Sequence, residues 1–130
     1  MRILVDTSVW IDFFRGTSSR ENLLFKECLQ RREPILITGI IAQEVLQGVR
    51  EDSQHQSILN YLLFFPKIDG AFADYLAAAN IYRSLRKRGL TIRSPVDCLI
   101  AALAIKHKVA LLHKDSDFAL ISQHFPLSTV

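Results

Sequence analysis

Carboxylates at the ends of predicted strands are the side chains of this chain best placed to do chemistry together. Asp6 directly follows a short apolar run, Ile3 to Val5, and Asp115 lies three positions after a second run that ends at Leu112. The carboxyl ends of strands in a parallel sheet share one edge. Asp97 stands at the start of an apolar helix that leads back into the second run, so its carboxylate faces the same edge.

Glu44 is a fourth acid that can reach this edge. It lies on a helix that begins at Thr38, at the margin of the apolar face of that helix. Close carboxylates repel each other by about 4 kcal/mol per pair at an effective dielectric near 20, so the cluster needs protons, basic partners or a cation. Oxygen ligands without histidine select Mg²⁺, with Mn²⁺ as an alternative. The expected substrate of such a metal site is a phosphate ester.

Each of these acids also has a purely structural explanation. Asp97 fits the third position of a capping box that starts at Ser94, and Asp6 fits the N-cap of the next helix. Asp115 fits a loop or cap position, as does Asp117, and Glu44 fits an exposed helix face. Independent scatter would rarely place all of them at one sheet edge. The remaining aspartates show no such convergence and are predicted to be surface charges: Asp12, Asp52, Asp69 and Asp74.

Alternating strands and helices are predicted to position these acids. Strand-type runs cover 3–5, 35–37 and 109–112, and a short fourth run covers 127–130. Helical patterns cover 9–16, 19–32, 40–50, 54–65, 71–88, 98–105 and 118–124, and Ser94 marks the start of the sixth. This alternation predicts an α/β fold in which helices cover both faces of a parallel sheet.

Length and composition limit the class of protein. The chain has 130 residues, 49% hydrophobic and 22% charged, which predicts one globular domain over 1–130. Its longest apolar run, 98–105, is too short to cross a bilayer, and Asp6 interrupts any signal-peptide core, so no membrane association and a cytoplasmic location are expected. Cys28 and Cys98 lack zinc-site spacing and are expected to be buried.

A cluster of cationic side chains accompanies the mild net charge of +3. The cluster falls within eleven positions and consists of Arg83, Arg86, Lys87, Arg88 and Arg93. Such a cluster can guide the backbone of a nucleic acid without reading its sequence. Stabilisation of a helix C-terminus through the helix dipole explains part of it equally well.

Four segments carry a resemblance to a known family, in the order that the family shows. They are 3–11 (ILVDTSVWI), 40–48 (IIAQEVLQG), 95–104 (PVDCLIAALA) and 111–118 (LLHKDSDF). With these segments the chain resembles PIN domains, and more closely the VapC-like ribonuclease toxins of prokaryotic toxin–antitoxin pairs. The resemblance implies a three-layer sandwich with a five-stranded parallel sheet between helices. Only four strand-type runs are visible, so a fifth strand is very short or unlocated.

The resemblance also implies an activity and a set of site residues. The activity is that of a Mg²⁺-dependent endoribonuclease that cleaves a tRNA or another structured RNA. The implied acidic quartet consists of Asp6, Glu44, Asp97 and Asp115, with Asp6 and Asp97 as the metal ligands. Ser8, or else Thr7, matches a supporting polar residue, and Asp117 a further participant. His113 departs from the Thr or Ser of many relatives, which puts a hydroxyl contact from that position in doubt.

Partners and alternatives complete the expectations. The resemblance implies a homodimer and an inhibitory cognate antitoxin. Aromatic residues that could contact a partner, although their helical spacing is also typical of a core, are Trp10, Phe13, Phe14, Phe64 and Phe65. One alternative is a non-catalytic PIN-like module that binds RNA or protein. Another is a phosphatase-like or receiver-like domain with Asp6 as nucleophile, although Ser8 stands where such a phosphatase usually has a second Asp.

Overall fold

A parallel sheet runs through the middle of the chain, and the computed structural model describes all residues from Met1 to Val130. The strands are β1 (Ile3–Val5), β2 (Ile35–Thr38), β3 (Lys67–Ile68) and β4 (Ala110–Leu112), in the spatial order β3-β2-β1-β4. The helices are α1 (Thr7–Arg15), α2 (Arg20–Gln30), α3 (Gly39–Gln47), α4 (Asp52–Leu62), α5 (Phe72–Lys87), α6 (Pro95–His107) and α7 (Ser116–His124). This arrangement confirms the predicted α/β class, with helices flanking a parallel sheet.

The first strand of the chain occupies a central position in the sheet. Ile3 pairs with Ile35 of β2 on one side and with Ala110 of β4 on the other. Every residue of β1 and β4 is buried, as expected for strands covered on both faces. The N–H of Asp6 donates to the carbonyl of Leu112 at 2.9 Å, so the carboxyl ends of β1 and β4 are joined directly.

The outer positions of the sheet differ from the prediction. β3 contains only Lys67 and Ile68, directly after Pro66, and two residues are too few to show any periodicity. The predicted strand over 127–130 is reduced to one isolated parallel bridge between Leu111 and Thr129. The sheet therefore has four strands and this bridge, and β3 is the strand that the sequence pattern missed.

The helices form two packed groups. In one group α1 packs against α2 and α3, and α3 packs against α4; in the other, α6 packs against α5 and α7. Gly16 ends α1, as predicted, with φ of 69° and its N–H bonded to the carbonyls of Asp12 and Phe13. A residue with a Cβ is strained at this left-handed position, so glycine is favoured there.

An aromatic cluster lies against α1. Trp10 is fully buried, and its ring centroid lies 4.8 Å from that of Phe25 and 5.3 Å from that of Phe65. Trp10 is therefore a core residue, which is the alternative that its helical spacing also indicated. Phe13 and Phe14 are half-buried against the same core, whereas Phe64 is 82% exposed.

Two aspartates that were expected at the surface are buried instead. Asp12 accepts hydrogen bonds from Lys114 Nζ at 2.6 Å and from Ser19 Oγ at 3.0 Å. Asp74 lies 3.2 Å from Lys106 Nζ and accepts the N–H of Ala71 at 2.7 Å. The lysine partners are 102 and 32 positions away in the chain, so local patterns do not reveal them.

Other surface and core expectations agree with the structure. Asp52 and Asp69 are exposed, and Cys28 and Cys98 are buried free thiols. Twenty-nine buried residues form one hydrophobic cluster that includes β1, the three apolar residues of β2 and five residues of α6. None of the helices is both long enough and apolar enough to span a bilayer.

Candidate active site

Asp6 is positioned by the central strand. It follows β1 directly, serves as the N-cap of α1 by backbone geometry, and makes no capping bond with its side chain. The carboxylate is buried and accepts the Ser8 hydroxyl at 2.9 Å. Burial raises the pKa of Asp6, the bond from Ser8 opposes this change, and the charge of Glu44 adds to it. Asp6 is thus the N-cap of α1 by position, as predicted, but its side chain makes no capping bond.

Glu44 is held by Thr7, which precedes Ser8 on α1. The Thr7 hydroxyl donates to Glu44 Oε1 at 2.7 Å. α3 is placed by Thr38, the last residue of β2, whose hydroxyl accepts the N–H of Ile41 at 3.1 Å. The Ser8 hydroxyl thus donates to Asp6 and the Thr7 hydroxyl donates to Glu44. The resemblance had implied only one supporting residue, Ser8 or else Thr7.

Asp97 is the most perturbed acid of the site. Ser94 is the N-cap of α6 and Pro95 its first residue, as predicted, but the predicted capping box is not formed: the Ser94 side chain makes no capping bond. Asp97 is 8% exposed, and its Oδ2 atom is buried without a hydrogen-bond partner. Burial, the adjoining Asp117 carboxyl and the charges of Asp6 and Asp115 raise the pKa of Asp97 to about 8.

The loop after β4 brings two further acids to Asp97. Asp115 is the N-cap of α7 and accepts the N–H of Asp117 at 2.9 Å, so its predicted capping role is real. Asp117 is buried and accepts the N–H groups of Arg93 and Ser94, each at 3.2 Å. These two bonds tie the loop to the start of α6, and with it to Asp97.

Ligand oxygens of Asp97, Asp115 and Asp117 lie within 4.8 Å of one another. The expected metal pair was Asp6 and Asp97; the tightest group contains Asp117 in place of Asp6. Asp6 still lies close enough for its charge to raise the pKa of Asp97, and Glu44 is coupled to Asp6 in the same way. The five acids are thus electrostatically coupled to one another at the carboxyl edge of the sheet.

His113 replaces the expected hydroxyl with a ring nitrogen. Its Nδ1 accepts the N–H of Asp115 at 3.2 Å, and burial lowers the pKa of the ring. The neutral imidazole therefore supports the backbone of the acidic loop.

The predicted cationic cluster is divided by the structure. Arg88 contacts Nδ1 of His124 at 2.6 Å, and the guanidinium of Arg86 lies 5.7 Å from the centre of the Tyr82 ring. Arg93 instead lies beside the acids, with Nη2 3.7 Å from Asp115 Oδ1. The spacing along the chain had grouped Arg93 with the α5 residues because it gave no signal for this contact.

The residues present fit a divalent cation. All donors are oxygens, three carboxylates converge, and one buried carboxylate oxygen lacks any protein partner. A buried acid is stabilised in its charged form by a nearby cation. The set matches the oxygen-only ligation of Mg²⁺ or Mn²⁺, and it gives no histidine or thiolate to zinc.

Comparisons with known proteins agree with this geometry. The family model of the PIN domain matches residues 3–123. Ribonuclease VapC11 of Mycobacterium tuberculosis is 40% identical over 124 residues, which make up 93% of this chain and 92% of that protein. VapBC2 of Rickettsia felis, solved with a DNA fragment from its promoter, superimposes with a TM-score of 0.78 at 22% identity and covers 100% of this chain and 98% of that one.

A third relative is a toxin–antitoxin complex from Klebsiella pneumoniae, at a TM-score of 0.64 and 28% identity over 90% of each chain. The family match spans nearly the whole chain, and the identity to VapC11 extends over the same length. This chain therefore belongs to the PIN-domain family and, within it, to the VapC ribonucleases.

Proposed function

We propose that this protein is a Mg²⁺-dependent endoribonuclease and the toxin of a toxin–antitoxin pair. One observation carries the proposal: the buried, unpartnered Oδ2 of Asp97 lies in a group of three converging carboxylates. Buried acids without a partner are costly, and strongly perturbed acids in a cluster are typical of functional sites. Membership of the VapC ribonucleases supports RNA as the substrate.

The proposed roles follow from the positions of the acids. Asp6 and Asp97 act as the metal ligands, and Glu44 and Asp115 complete the catalytic quartet. Asp117 supports the site from the first turn of α7. The Ser8 hydroxyl orients Asp6, and the Thr7 hydroxyl orients Glu44. Mg²⁺ or Mn²⁺, when bound, would lower the pKa of a water molecule attached to it and neutralise negative charge on the phosphate.

The proposed reaction is hydrolysis of an RNA phosphodiester. A water oxygen forms a bond to phosphorus in line with the leaving ribose oxygen, and the bond from phosphorus to that oxygen breaks. The carboxylates accept the proton that water loses, and the leaving oxygen takes up a proton. The burial of Asp6, Asp97 and Asp117 strengthens these electrostatic effects.

Partners of this function are proposed on separate grounds. The relative from Klebsiella pneumoniae is a toxin–antitoxin complex, which supports a cognate antitoxin that inhibits this chain. We also propose a homodimer, supported by three exposed apolar side chains at helical spacing on α5, Phe72, Tyr75 and Leu76. A cytoplasmic location and a tRNA or other structured RNA as substrate stay predictions.

Cleavage of labelled RNA tests the proposal. The purified protein, free of antitoxin, is incubated with end-labelled total tRNA and rRNA in Mg²⁺ or in EDTA. We expect discrete fragments that require Mg²⁺ and that disappear in an Asp6→Asn, Asp97→Asn double variant. The matched control is Asp52→Asn, Asp69→Asn, which makes the same chemical change at exposed positions and should cleave like the wild type.

Two results would contradict the proposal. Equal cleavage by the wild type and the Asp6→Asn, Asp97→Asn variant would exclude these acids as the catalytic group. No cleavage of any RNA by the folded wild type would instead favour the non-catalytic PIN-like module. The phosphatase-like alternative has less support, because Ser8 donates to Asp6 and leaves no second acid at that position.

A further inference from the structure

Arg93 is the cationic side chain that the fold places at the acidic cluster. Its Nη2 lies 3.7 Å from Asp115 Oδ1, and its Nε lies 3.9 Å from Asp117 Oδ1. Nη2 also donates to the Ser116 hydroxyl at 3.1 Å. No other lysine or arginine forms an ion pair with Asp97, Asp115 or Asp117.

The neighbouring lysine cannot take this role. Lys114 precedes Asp115 in the same loop, but its Nζ is directed to Asp12 at 2.6 Å and is held there by a buried carboxylate. Arg93 is therefore the cation of this edge that is free to meet a substrate.

The backbone of Arg93 is anchored by hydrogen bonds, whereas its guanidinium group is exposed. Its N–H and that of Ser94 both donate to the buried carboxylate of Asp117, which anchors the main chain beside the site. The side chain is 75% exposed, and its contacts to the two acids are longer than hydrogen bonds. Because the arginine is exposed and both N–O distances are long, these ion pairs are weak and a competing anion can displace them.

A guanidinium in this position matches the chemistry of a phosphodiester. Its planar N–H groups bind two oxygens of one phosphate in a fork that a lysine cannot reproduce. An acidic pocket repels an anionic substrate, and a mobile cation at its rim reduces that repulsion. During hydrolysis, negative charge on the phosphate oxygens increases, and donors directed at those oxygens lower the barrier.

We propose that Arg93 is a catalytic residue of this site that leaves Asp115 and Asp117 when RNA enters and donates to the non-bridging oxygens of the scissile phosphate. This inference rests on the proposed ribonuclease function and adds a residue to it. It also separates Arg93 from the arginines of α5, with which the sequence had grouped it.

Kinetics of Arg93→Gln and Arg93→Lys give the first test, on an RNA that carries the bond cut by the wild type. We expect Arg93→Gln to lower kcat by about 30-fold to 100-fold with a change in KM below about threefold, because the contact strengthens in the transition state. We expect the kcat of Arg93→Lys to lie between those of Arg93→Gln and the wild type, since lysine keeps the positive charge but lacks the paired N–H donors of a guanidinium. The control is Arg31→Gln: Arg31 is an exposed arginine that precedes β2 and thus lies at the opposite edge of the sheet.

Binding of Mn²⁺ without RNA gives a second readout, measured from the electron paramagnetic resonance signal of the free ion. Arg93 faces the same carboxylates, so removal of its positive charge should tighten Mn²⁺ binding by about fivefold in Arg93→Gln. A residue that merely maintained the geometry of the acids would weaken Mn²⁺ binding when replaced. Tighter binding of the metal together with slower turnover is therefore the expected signature.

The remaining outcomes overturn one proposal or the other. Unchanged kcat in Arg93→Gln, or weaker Mn²⁺ binding, would exclude Arg93 as a phosphate contact while the ribonuclease function stands. A rise in KM alone would place Arg93 among residues that only attract RNA. Wild-type protein that cuts no RNA, or that cuts no faster than the Asp6→Asn, Asp97→Asn variant, would overturn the proposed function and the catalytic role of Arg93 together.

Discussion

A single buried carboxyl shows the conflict between stability and activity in this protein. Asp97 lies at the start of a helix whose middle part, from Cys98 to Ala104, is apolar and mostly buried, and one oxygen of Asp97 has no hydrogen-bond partner in the protein. Burial and the neighbouring acids raise its pKa from 3.8 to about 8. A residue this unfavourable to the isolated fold is understandable where a cation is the missing partner.

Asp97→Asn should therefore stabilise the metal-free protein, increasingly so as the pH rises. The folded wild type retains on Asp97 a proton that the unfolded chain loses above about pH 4, so its stability falls between pH 4 and pH 8 and then levels. The asparagine variant lacks this contribution. We expect its free energy of unfolding to exceed that of the wild type by about 1–3 kcal/mol at pH 8 in EDTA.

Urea unfolding at several pH values measures this difference. Asp52→Asn changes an exposed acid and should show no advantage that grows with pH. Added Mg²⁺ should stabilise the wild type and reverse the order of the two proteins, because a ligand stabilises the folded state that binds it. A constant difference between pH 4 and pH 8 would contradict the assigned titration.

At the scale of elements, the loop between β4 and α7 depends on a distant helix. Lys114 lies in this loop, between His113 and Asp115, and its ion pair with Asp12 joins the loop to α1. Asp12 also accepts the hydroxyl of Ser19, the N-cap of α2. One buried carboxylate thus connects three elements, and the bonds from Lys114 and Ser19 lower the pKa of Asp12 despite its burial.

Lys114→Met should destabilise the protein by about 1–3 kcal/mol at pH 7, because it leaves the Asp12 charge buried and unpaired. The double variant with Asp12→Asn should lose less than Lys114→Met alone. The pKa of Asp12 is lowered, so the contribution of the pair is present above about pH 4 and is lost as the pH falls through the folded pKa.

Thermal and urea unfolding of the single and double variants check this coupling. Lys26→Met, an exposed lysine on α2, is the matched control and should change stability little. Equal losses in the single and double Lys114 variants would show that the charge of Asp12 is not the cause.

The same elements show what the sequence could and could not predict. Apolar runs and helix signals located β1, β2, β4 and all seven helices, because buried strands and amphipathic helices have clear local periodicity. They missed β3, which has two residues, and they placed Asp12 and Asp74 at the surface. Those residues are buried because of lysines far away in the chain, which no local window contains.

Prediction of the candidate site from the sequence is limited in a similar way. Strand ends and the start of α6 predicted that Asp6, Glu44, Asp97 and Asp115 meet at one edge. Asp97 and Asp115 do lie together, and the third member of their group is Asp117, which the strand ends did not indicate. The capping box predicted at Ser94 is absent, because Asp117, in the first turn of α7, takes the N–H of Ser94 instead. Competition between local and distant hydrogen-bond partners is decided by tertiary packing, which the sequence alone does not give.

At the scale of the whole molecule, charge is separated into an acidic edge and a basic helix end. The exposed side chains of Arg83 and Lys87 lie one helical turn apart near the C-terminus of α5. No ion pair holds either of them, whereas Arg86 lies over the Tyr82 ring and Arg88 contacts His124. These two residues are therefore the best placed of the α5 cluster to track an RNA backbone.

Salt should weaken RNA binding through these residues. An Arg83→Gln, Lys87→Gln variant should raise KM about threefold to tenfold at low salt and leave kcat nearly unchanged. Its KM should also respond less steeply to salt, since each lost phosphate contact removes about 0.7 from the slope of log affinity against log salt for single-stranded RNA. Steady-state cleavage between 50 and 300 mM KCl measures both effects, and an unchanged slope would assign the cluster to helix stabilisation alone.

The central place of β1 in the sheet has a consequence for synthesis of the protein on the ribosome. Asp6 is made early, yet the strand before it gains its second neighbour only when residues 110–112 have been added. Three of the five acids, Asp97, Asp115 and Asp117, also belong to this late part of the chain. Domains fold as units as they emerge, so a nascent or prematurely terminated chain has no assembled acidic site. For a nuclease made beside the cell's own RNA, this order of assembly delays cutting until the chain has been extended past Asp117.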